Sequence, residues 1–334
     1  MSLDLSGLAD APRLLMEAKL KPLQGDRFQP TGFPNLGAAV YKTPAGNENL
    51  LVESAQSVAN RLERVCWDET ADDWVKPLRG LPFVKVIDED GKALTNSVLE
   101  AHRINSEYIA RSDGFEEIKS EIKFVTDHPF DLRRQLIPAL LKYDPNSLIH
   151  GLFLEEVAGV IRLPRTLSGF IEAQDIRVAQ SGGVKLNRVE PTLKEGEGNV
   201  PYSRDEYSAA EITSYFNLDL AQIRAFGLYA VAEQLLVALA LFKIHKFLAE
   251  GLRLRTACDL GLISLAVVRP TNFAIPALPL LEEVLPGLIN ALSNEGCFAN
   301  PPTTVLKWQS KVRRTRRGSQ GPEPPTTSQQ KLNQ

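Results

Sequence analysis

The spacing of hydrophobic residues changes period several times along the chain, which predicts a mixed α+β fold. In residues 1–23 the apolar positions follow a helical spacing as far as Pro22, so we predict a helix that ends there. Residues 38–41 and 50–53 are short apolar runs joined by a turn-rich insert, which predicts a hairpin. A second helix is predicted over residues 54–65, where apolar side chains recur at helical spacing.

The rest of the chain divides in the same way into short elements that favour one α+β unit. The predicted segments are a strand at 83–87, a helix at 97–109 that opens with a capping box, a helix at 131–143, a buried strand at 147–154, strands with a mobile hairpin at 160–189, a linker or loop at 190–205, a long helix at 218–251, strands at 253–258 and 262–268, and a helix at 278–292.

Residues 309–334 lack apolar periodicity and are rich in Ser, Gln, Thr, Pro and Gly, which predicts a disordered tail. The length of 334 residues allows one large domain or two, and we assign residues 1–308 to a single domain. The net charge of −3 conceals a segregation: the tail has six basic residues and one acidic residue, so the body carries −8. A mildly acidic average therefore does not exclude a nucleic-acid partner.

Signals for catalysis, metal binding and export are weak. The three cysteines form no Cys-x-x-Cys pair, and the four histidines share no metal-ligand spacing. The sequence contains neither a Gly-x-Ser-x-Gly nor a His-Glu-x-x-His motif. Residues 225–242 are the most apolar stretch, but Glu233 and Gln234 lie in its middle, which indicates a buried helix. We therefore expect a cytoplasmic protein that is not an enzyme, uses no cofactor or metal and has no membrane partner.

Two regions have residues suited to phosphate groups. Residues 160–189 carry a surplus of three positive charges, the sequence Ser181-Gly182-Gly183-Val184-Lys185 and a possible stacking side chain, Phe170. A plain hairpin turn explains the two glycines equally well, and a solvated strand surface explains the charges.

The second region is residues 27–63, where a Gly/Pro-rich entry leads through the hairpin to a helix start at Ser54-Ala55-Gln56-Ser57. A helix N-terminus favours an anion, and Arg27 and Arg61 could add charge-assisted contacts. An N-cap role alone would also explain Ser54.

The order of residues in several runs resembles the RAMP-superfamily backbone subunit, the Cas-seven group, of type I-G (formerly I-U) CRISPR effector complexes. The matching runs are 25–41, 51–63, 96–103, 162–165, 181–185 and 252–259. The helix start at residues 54–61 is similar to that of other type I backbone subunits, but Ala55 and Asn60 stand where those have Ser and Lys.

The resemblance implies an RRM-like (ferredoxin-like) core with a hairpin thumb and helical insertions. It also implies a non-catalytic subunit that stacks in several copies along the crRNA and supports pairing with target DNA. The implied partners are the crRNA, the target DNA, further copies of the chain, the large subunit, a fused repeat-processing and cap subunit, and a recruited helicase-nuclease. The residues expected to bind RNA are Arg27, Gln29, Thr31, Ser54, Gln56, Ser57, Asn60, Arg61, Arg162, Arg165, Ser181 and Lys185.

Two alternatives stay open at the level of sequence. One is a metal-dependent ribonuclease of the same superfamily that cuts RNA paired to the guide, with Asp175 or Asp259 placing a cation. The other is a structural subunit that binds only proteins.

Overall fold

The computed structural model describes residues 3–33, 37–123, 128, 130–154, 161–185 and 200–308. The predicted disordered tail at 309–334 and most of the predicted linker, residues 190–199, lie outside the described residues.

The strands are mostly short and alternate with helices along the chain. They are β1 (Arg13–Pro22), β2 (Gly32–Phe33), β3 (Gly37–Ala38), β4 (Val40–Lys42), β5 (Glu48–Glu53), β6 (Trp67–Asp68), β7 (Asp73–Trp74), β8 (Phe83–Ile87), β9 (Ala93–Asn96), β10 (Leu152–Leu154), β11 (Ile161–Leu163), β12 (Leu167–Gln174), β13 (Arg177–Lys185), β14 (Val200–Ser208), β15 (Glu211–Asp219), β16 (Arg253–Arg255), β17 (Cys258–Arg269) and β18 (Thr303–Lys307).

The α-helices range from four to 21 residues. They are α1 (Ala55–Arg64), α2 (Glu107–Ala110), α3 (Phe115–Ile122), α4 (Ile137–Tyr143), α5 (Asn146–His150), α6 (Leu220–Ala225), α7 (Ala230–Glu250) and α8 (Leu278–Asn294). Short 3-10 turns occupy Ser6–Leu8, Lys76–Leu78 and Arg103–Asn105, and a π-helical turn occupies Leu132–Leu136.

A seven-stranded sheet in the order β16-β17-β1-β15-β12-β5-β4 forms the centre of the fold, and every neighbouring pair is antiparallel. Four of its five inner strands occur in the chain in the order β1, β12, β15 and β17. Helix α1 precedes β12, and α7 precedes β17, so these elements follow a β-α-β-β-α-β path. A smaller sheet, β18-β8-β9, pairs β18 parallel to β8.

One face of the central sheet is buried against the helices. In β1 every second residue from Leu14 to Leu20 is buried, and β12 alternates in the same way from Leu167 to Ala173. Phe216 of β15 meets Phe247 of α7 edge to face, with ring centroids 6.2 Å apart. The apolar face of the sheet therefore packs on α7, as a period of two in each strand requires.

The predicted helix at residues 1–23 is wrong, because most of it is strand β1. Leu14 is paired to Leu218 and Leu15 to Asn217, and the other edge of β1 is paired to β17. The polar residues Glu17 and Lys19 then fall on the opposite face of the strand from the buried apolar residues. A helix, with 3.6 residues per turn, would not place alternate residues on opposite faces in this way.

The first hairpin and its helix confirm the prediction. Strands β4 and β5 pair across the predicted turn, and α1 runs over 55–64 within the expected 54–65. Its buried positions are Val58, Ala59, Leu62 and Glu63, and the first three are among the four apolar residues that gave the spacing.

The strand predicted at 83–87 is β8, with the predicted bounds. Several other segments are confirmed with changed bounds: residues 131–143 contain the π-helical turn and α4, the two strands predicted within 253–268 are β16 and β17, and the last helix is α8.

The predicted helix at 97–109 is wrong over most of its length, because the capping box does not form. Ser97 Oγ accepts a hydrogen bond from the Val84 N–H, so it is committed to β8. Glu100 accepts hydrogen bonds from the hydroxyls of Thr95 at 2.5 Å and Ser106 at 2.8 Å. Only the 3-10 turn Arg103–Asn105 and the short helix α2 remain of the predicted helix.

The other corrections follow from breaks that the hydrophobic pattern does not show. The predicted strand at 147–154 is α5 followed by β10, divided at Gly151, whose φ is +77°. The predicted helix at 218–251 is two helices separated at Gly227, whose φ is +66°. The end of the predicted linker, residues 200–205, is strand β14, because it is paired to β13.

No helix in the described ranges combines the length and apolar character needed to cross a bilayer.

Substituting Leu14 and Leu15 separately distinguishes the observed strand from the predicted helix. Leu14 is fully buried and Leu15 is half-buried on the other face. We expect Leu14→Ala to lower the free energy of unfolding by about 2–5 kcal/mol, because it leaves a cavity in the core. Leu15→Ala, the matched control, should cost less than half as much. Urea denaturation measures both, and equal losses would contradict the alternation of β1.

Candidate nucleic-acid interface

The structure distributes the twelve expected RNA-binding residues over four places. The entry segment before the first hairpin carries Arg27, Gln29 and Thr31. Ser54, Ser57 and Arg61 lie around a buried carboxylate; Gln56, Asn60, Arg162 and Arg165 line one cavity; and Ser181 and Lys185 lie on the β13–β14 hairpin.

The buried carboxylate is that of Glu53, at the end of β5. It is 1% exposed and accepts hydrogen bonds from Ser57 Oγ, from Arg61 Nε at 3.1 Å and from the Arg255 guanidinium. Arg61 also donates to the Leu254 carbonyl at 2.6 Å. The two arginines carry two positive charges against the one negative charge of Glu53, which leaves a net charge of +1. Each arginine side chain remains about a quarter exposed.

Ser54 is the N-cap of α1, where its hydroxyl accepts a hydrogen bond from the Ser57 N–H at 3.3 Å. The capping alternative for Ser54 is thus observed. Arg61 and Ser57 also have structural partners, so phosphate binding is not required to explain them.

The entry segment is held by backbone hydrogen bonds instead of by regular secondary structure. Phe28 exchanges N–H and carbonyl bonds with Tyr207, and the Gln29 N–H donates to the Ala257 carbonyl. The Gln29 side chain accepts a hydrogen bond from Arg204 at 3.3 Å. Arg27 is 59% exposed, and its guanidinium lies 3.7 Å from the Glu206 carboxylate. The Thr31 N–H donates to the Val52 carbonyl at 3.1 Å.

We call the third place the α1 cavity; it encloses about 650 Å³. Its lining residues come from four separate segments and are Gln56, Asn60, Ala101, His102, Arg103, His150, Gly151, Leu152, Phe153, Arg162, Leu163, Pro164 and Arg165.

The polar side of the α1 cavity is organised by α1. Gln56 donates to Asn60 Oδ1 at 2.9 Å, and Gln56 Oε1 accepts from the Arg165 guanidinium. Arg165 also donates to the Ala55 carbonyl at 3.2 Å. Burial lowers the pKa of Arg165, and the nearby charge of Arg103 acts in the same direction. Across the cavity, the exposed guanidinium of Arg162 lies 4.9 Å from the Phe153 ring centroid.

The floor of the α1 cavity is formed by buried Arg103, which belongs to an ion pair that the sequence does not indicate. Arg103 donates to both oxygens of Glu63, at 2.7 and 2.9 Å, and also to the Gly151 carbonyl at 3.3 Å. Asn146 donates to the same Glu63 carboxylate at 2.7 Å. Only the match of residues 96–103 to the family resemblance pointed to Arg103.

The backbone at Gly151 lies close to the segment that carries Leu163 and Arg165. A Cβ atom at this position would lie 2.7 Å from the Leu163 carbonyl oxygen and 2.9 Å from the Arg165 nitrogen. Together with its positive φ, this approach requires glycine.

His150 lies next to this floor and is 1% exposed. Within the described residues neither ring nitrogen has a hydrogen-bond partner. Burial lowers the pKa of His150 well below its usual value, and the charges of Lys243, Arg103 and Arg165 lower it further. The imidazole is therefore neutral at pH 7.

The glycine pair in the β13–β14 hairpin corrects the interpretation as a hairpin turn, because both glycines lie within a strand. Gly182 and Gly183 lie inside β13, opposite Ser203 and Tyr202. A Cβ atom on Gly182 would lie 2.5 Å from the Tyr202 carbonyl oxygen, which accounts for the missing side chain. Lys185 Nζ lies 6.0 Å from the Tyr202 ring centroid.

Phe170 and the two candidate acidic residues lie outside the α1 cavity. Phe170 is stacked on Tyr215, with centroids 5.0 Å apart and an interplanar angle of 26°. Asp175 is exposed at the end of β12, and Asp259 lies on β17. No group of three or more His, Cys, Asp or Glu side chains suited to a metal occurs among the residues that the structure describes.

The family model described as "CRISPR-associated protein GSU0053" matches residues 14–178, just under half of the chain. No curated protein matches the chain.

Three solved structures with distant similarity also concern CRISPR proteins. A chain described as "CRISPR RNA-guided surveillance complex, pre-nicking" is 13% identical with a TM-score of 0.41, covering 85% of this chain and 88% of that one. A chain of a "CRISPR RNA-guided surveillance complex" is 11% identical with a TM-score of 0.38, covering 85% and 83%. Csc2 from Thermofilum pendens is 11% identical with a TM-score of 0.30, covering 88% and 80%. All three scores lie below 0.5, so no functional assignment rests on them.

A buried acid beside this site generates a pH-dependence of stability. Asp144 accepts a hydrogen bond from Ser147 Oγ at 2.6 Å. Burial raises the pKa of Asp144 from 3.8 to about 7, although Ser147 and Arg103 act in the opposite direction; Glu63 raises it further. The native state therefore binds this proton more tightly than the unfolded state, and stability falls as pH rises from about 4 to 7.

Replacing Asp144→Asn removes this titration and keeps an acceptor for Ser147. We expect the variant to melt at a higher temperature than the wild type at pH 8 and to lose that advantage at pH 4. Thermal unfolding at the two pH values measures the difference. The exposed Asp90→Asn serves as the control and should change both values alike; an advantage of Asp144→Asn that is equal at both pH values would refute the assignment.

Proposed function

We propose that this chain is a non-catalytic backbone subunit of a CRISPR surveillance complex, one that binds crRNA and stacks in several copies along it. The observation that carries the proposal is the match of residues 14–178 to a CRISPR-associated family. That segment contains ten of the twelve residues expected to contact RNA, all except Ser181 and Lys185. We assign the type I-G subtype from the sequence resemblance.

The path of the chain supports an RRM-like core within this proposal. Strands β1, β12, β15 and β17, with α1 and α7, follow the β-α-β-β-α-β order of ferredoxin-like folds. In the same interpretation the β13–β14 hairpin is the thumb, and residues 65–166 between α1 and β12 are the main insertion. Residues 1–308 would then form one RNA-binding domain, with residues 309–334 as a basic disordered tail.

The chemistry of the candidate residues favours contact with the RNA backbone. Exposed Arg162 and Lys185, the half-buried Arg165 and the exposed Arg27 are suited to phosphate oxygens. Sequence specificity would then belong to the guide through base pairing with target DNA, while the protein holds its backbone. Other copies of the chain, the large subunit, the repeat-processing and cap subunit and the helicase-nuclease complete the proposed set of partners, and the complex would act in the cytoplasm.

The salt dependence of RNA binding tests the proposal directly. The purified full chain should bind single-stranded RNA, and log K should fall linearly with log salt with a slope of about −0.7 for each phosphate neutralised. Fluorescence anisotropy with two unrelated RNA sequences measures both affinity and slope. Absence of binding, or an affinity unaffected by salt, would exclude the proposed role.

Arg162 is a sharper site for mutation than Arg61, because Arg61 also holds Glu53 and Leu254 in place. We expect Arg162→Ala to weaken binding to all RNA sequences about equally and to reduce the salt slope by about one phosphate's share, 0.7. Arg134→Ala, at an 88% exposed arginine that does not line the α1 cavity, is the control and should bind as the wild type does. A loss confined to one RNA sequence would mean that Arg162 reads a base.

The ribonuclease alternative predicts a different product. Assembled complex incubated with labelled complementary RNA and Mg²⁺ should leave that RNA intact if the chain is non-catalytic. Regularly spaced fragments that disappear in Asp175→Asn or Asp259→Asn would instead establish the enzyme.

A further inference from the structure

The central sheet carries a cluster of exposed apolar side chains at one end of β1. Leu23 follows β1, and Leu262 and Ile263 lie on the neighbouring strand β17; the three are between 43% and 60% exposed. A Cβ atom on Gly261 would lie 2.7 Å from Leu23 Cδ2, so the Leu23 side chain packs over that glycine. We call Leu23, Leu262 and Ile263 the apolar end. Adjacent apolar side chains in contact with solvent are typical of a protein–protein contact surface.

Ile263 projects from a β-bulge. Lys19 is paired to Ser264 and Leu20 to Leu262, so Ile263 is the extra residue on β17. A bulge bends and twists a strand and so works against continuous pairing with a further strand. The apolar end is therefore better suited to packing its side chains into a groove than to extending the sheet.

An apolar groove lies beside the N-terminal segment. It encloses about 470 Å³ and is lined by residues 3–9, by α6 and by the first turns of α7. The apolar side chains that line it are almost fully buried and include Leu3, Leu8, Ile223 and Val237. We call this the N-terminal groove. Its volume and its apolar lining suit a small group of aliphatic side chains.

The two surfaces lie at opposite ends of β1. At the start of β1, Arg13 is paired to Asp219, the residue before α6, and α6 lines the N-terminal groove. At the other end, Lys21 is paired to Gly261, beside the apolar end. A strand of ten residues is about 33 Å long. Complementary surfaces at two distant places on one chain favour a heterologous contact, which repeats in one direction instead of closing into a symmetric pair.

The charges beside the two surfaces are complementary. Exposed Lys21 lies next to the apolar end, while Asp4 and Glu233 line the N-terminal groove. Exposed Asp259, whose carbonyl accepts a hydrogen bond from the Leu23 N–H, likewise has an opposite charge in the groove, that of exposed Arg224. Charges at the rim of a contact set the orientation in which two surfaces meet.

We propose that copies of this chain bind head to tail, with the apolar end of one copy inserted into the N-terminal groove of the next. This inference rests on the proposed function, since it identifies the surfaces through which stacked copies contact one another. Both surfaces belong to the protein, so their contact can be measured in the absence of RNA.

Sedimentation velocity of the full chain without RNA measures this contact. We expect association to increase with concentration, and Ile263→Asp to lower the association constant about 10- to 150-fold, the loss expected when one aliphatic side chain is no longer buried. Ala230→Trp, at an exposed residue that lines the groove, should also weaken association because the indole occupies the groove. Leu94→Asp, at an exposed leucine on β9, is the matched control and should associate as the wild type does.

Mixing the two variants tests the head-to-tail geometry. Ile263→Asp keeps an intact groove and Ala230→Trp keeps an intact apolar end, so an equimolar mixture should form dimers and no longer chains. A symmetric contact between two apolar ends would instead leave Ala230→Trp associating as the wild type does, and that result would refute the proposal.

Reversing charges tests the orientation. Lys21→Glu and Glu233→Lys should each lower the association constant about 1.5- to 5-fold, the usual range for an exposed ion pair. The double variant restores opposite charges and should recover most of the loss. A double variant that associates more weakly than either single variant would contradict contact between these two surfaces.

The outcomes separate this inference from the function on which it rests. If the wild type binds RNA but stays monomeric without it, and Ile263→Asp fills a long RNA as cooperatively as the wild type, the two surfaces are refuted and the RNA-binding role stands. If the wild type associates as described but does not bind RNA, the proposed function fails and the contact stands. A cooperative thermal transition for each variant shows that any lost association is not a loss of folding.

Discussion

The buried carboxylate of Glu53 joins parts of the chain that are far apart in sequence. Through Ser57 and Arg61 it binds α1, and through Arg255 it binds the segment between α7 and β17. Arg255 in turn donates to the Gln29 carbonyl at 2.8 Å, which secures the entry segment. An acid this deeply buried is tolerated because it has charged partners, and removing either the acid or its partners would leave an uncompensated charge. The position of α1, and with it one side of the α1 cavity, depends on this contact.

Glu63 of α1 is a second buried acid with an arginine partner, Arg103. It links α1 to the segment after β9, while Asn146 brings α5 to the same carboxylate. The two acids thus fix α1 from both sides, which explains why a helix of only ten residues can hold Gln56 and Asn60 in a defined geometry. Several arginines that look like free cations in the sequence therefore form hydrogen bonds and ion pairs that stabilise the fold.

Local signals in the sequence were enough for α1, its N-cap and the first hairpin, because capping and short-range pairing depend on neighbouring residues. They failed for β1, since Leu14, Leu15, Ala18 and Leu20 also fit a helical spacing and only pairing with β15 and β17 decides between the two. They failed for Ser97, whose hydroxyl is bound by a strand 13 residues earlier.

The candidate site was predictable only in part for the same reason. Arg162, Arg165, Gln56 and Asn60 were chosen from separate runs, and the structure brings them together. Glu53 and Arg255 are 202 residues apart, and Glu63 and Arg103 are 40 apart, so no spacing rule could have joined them. His150 had no signal in the sequence, because its burial depends on what surrounds it after folding.

Gly151 makes the width of the α1 cavity sensitive to mutation at a single position. It ends α5, adopts a positive φ and lies against the backbone at Leu163 and Arg165, so one codon controls both a helix terminus and the spacing of the opposite wall. Every single-nucleotide missense change at that codon adds at least a Cβ atom, and the segment carrying Arg165 would have to move away from α1. Substitutions at exposed lining residues, such as Ala101 and His102, can thus change the surface of the cavity. Its width cannot change in small steps through substitutions at Gly151.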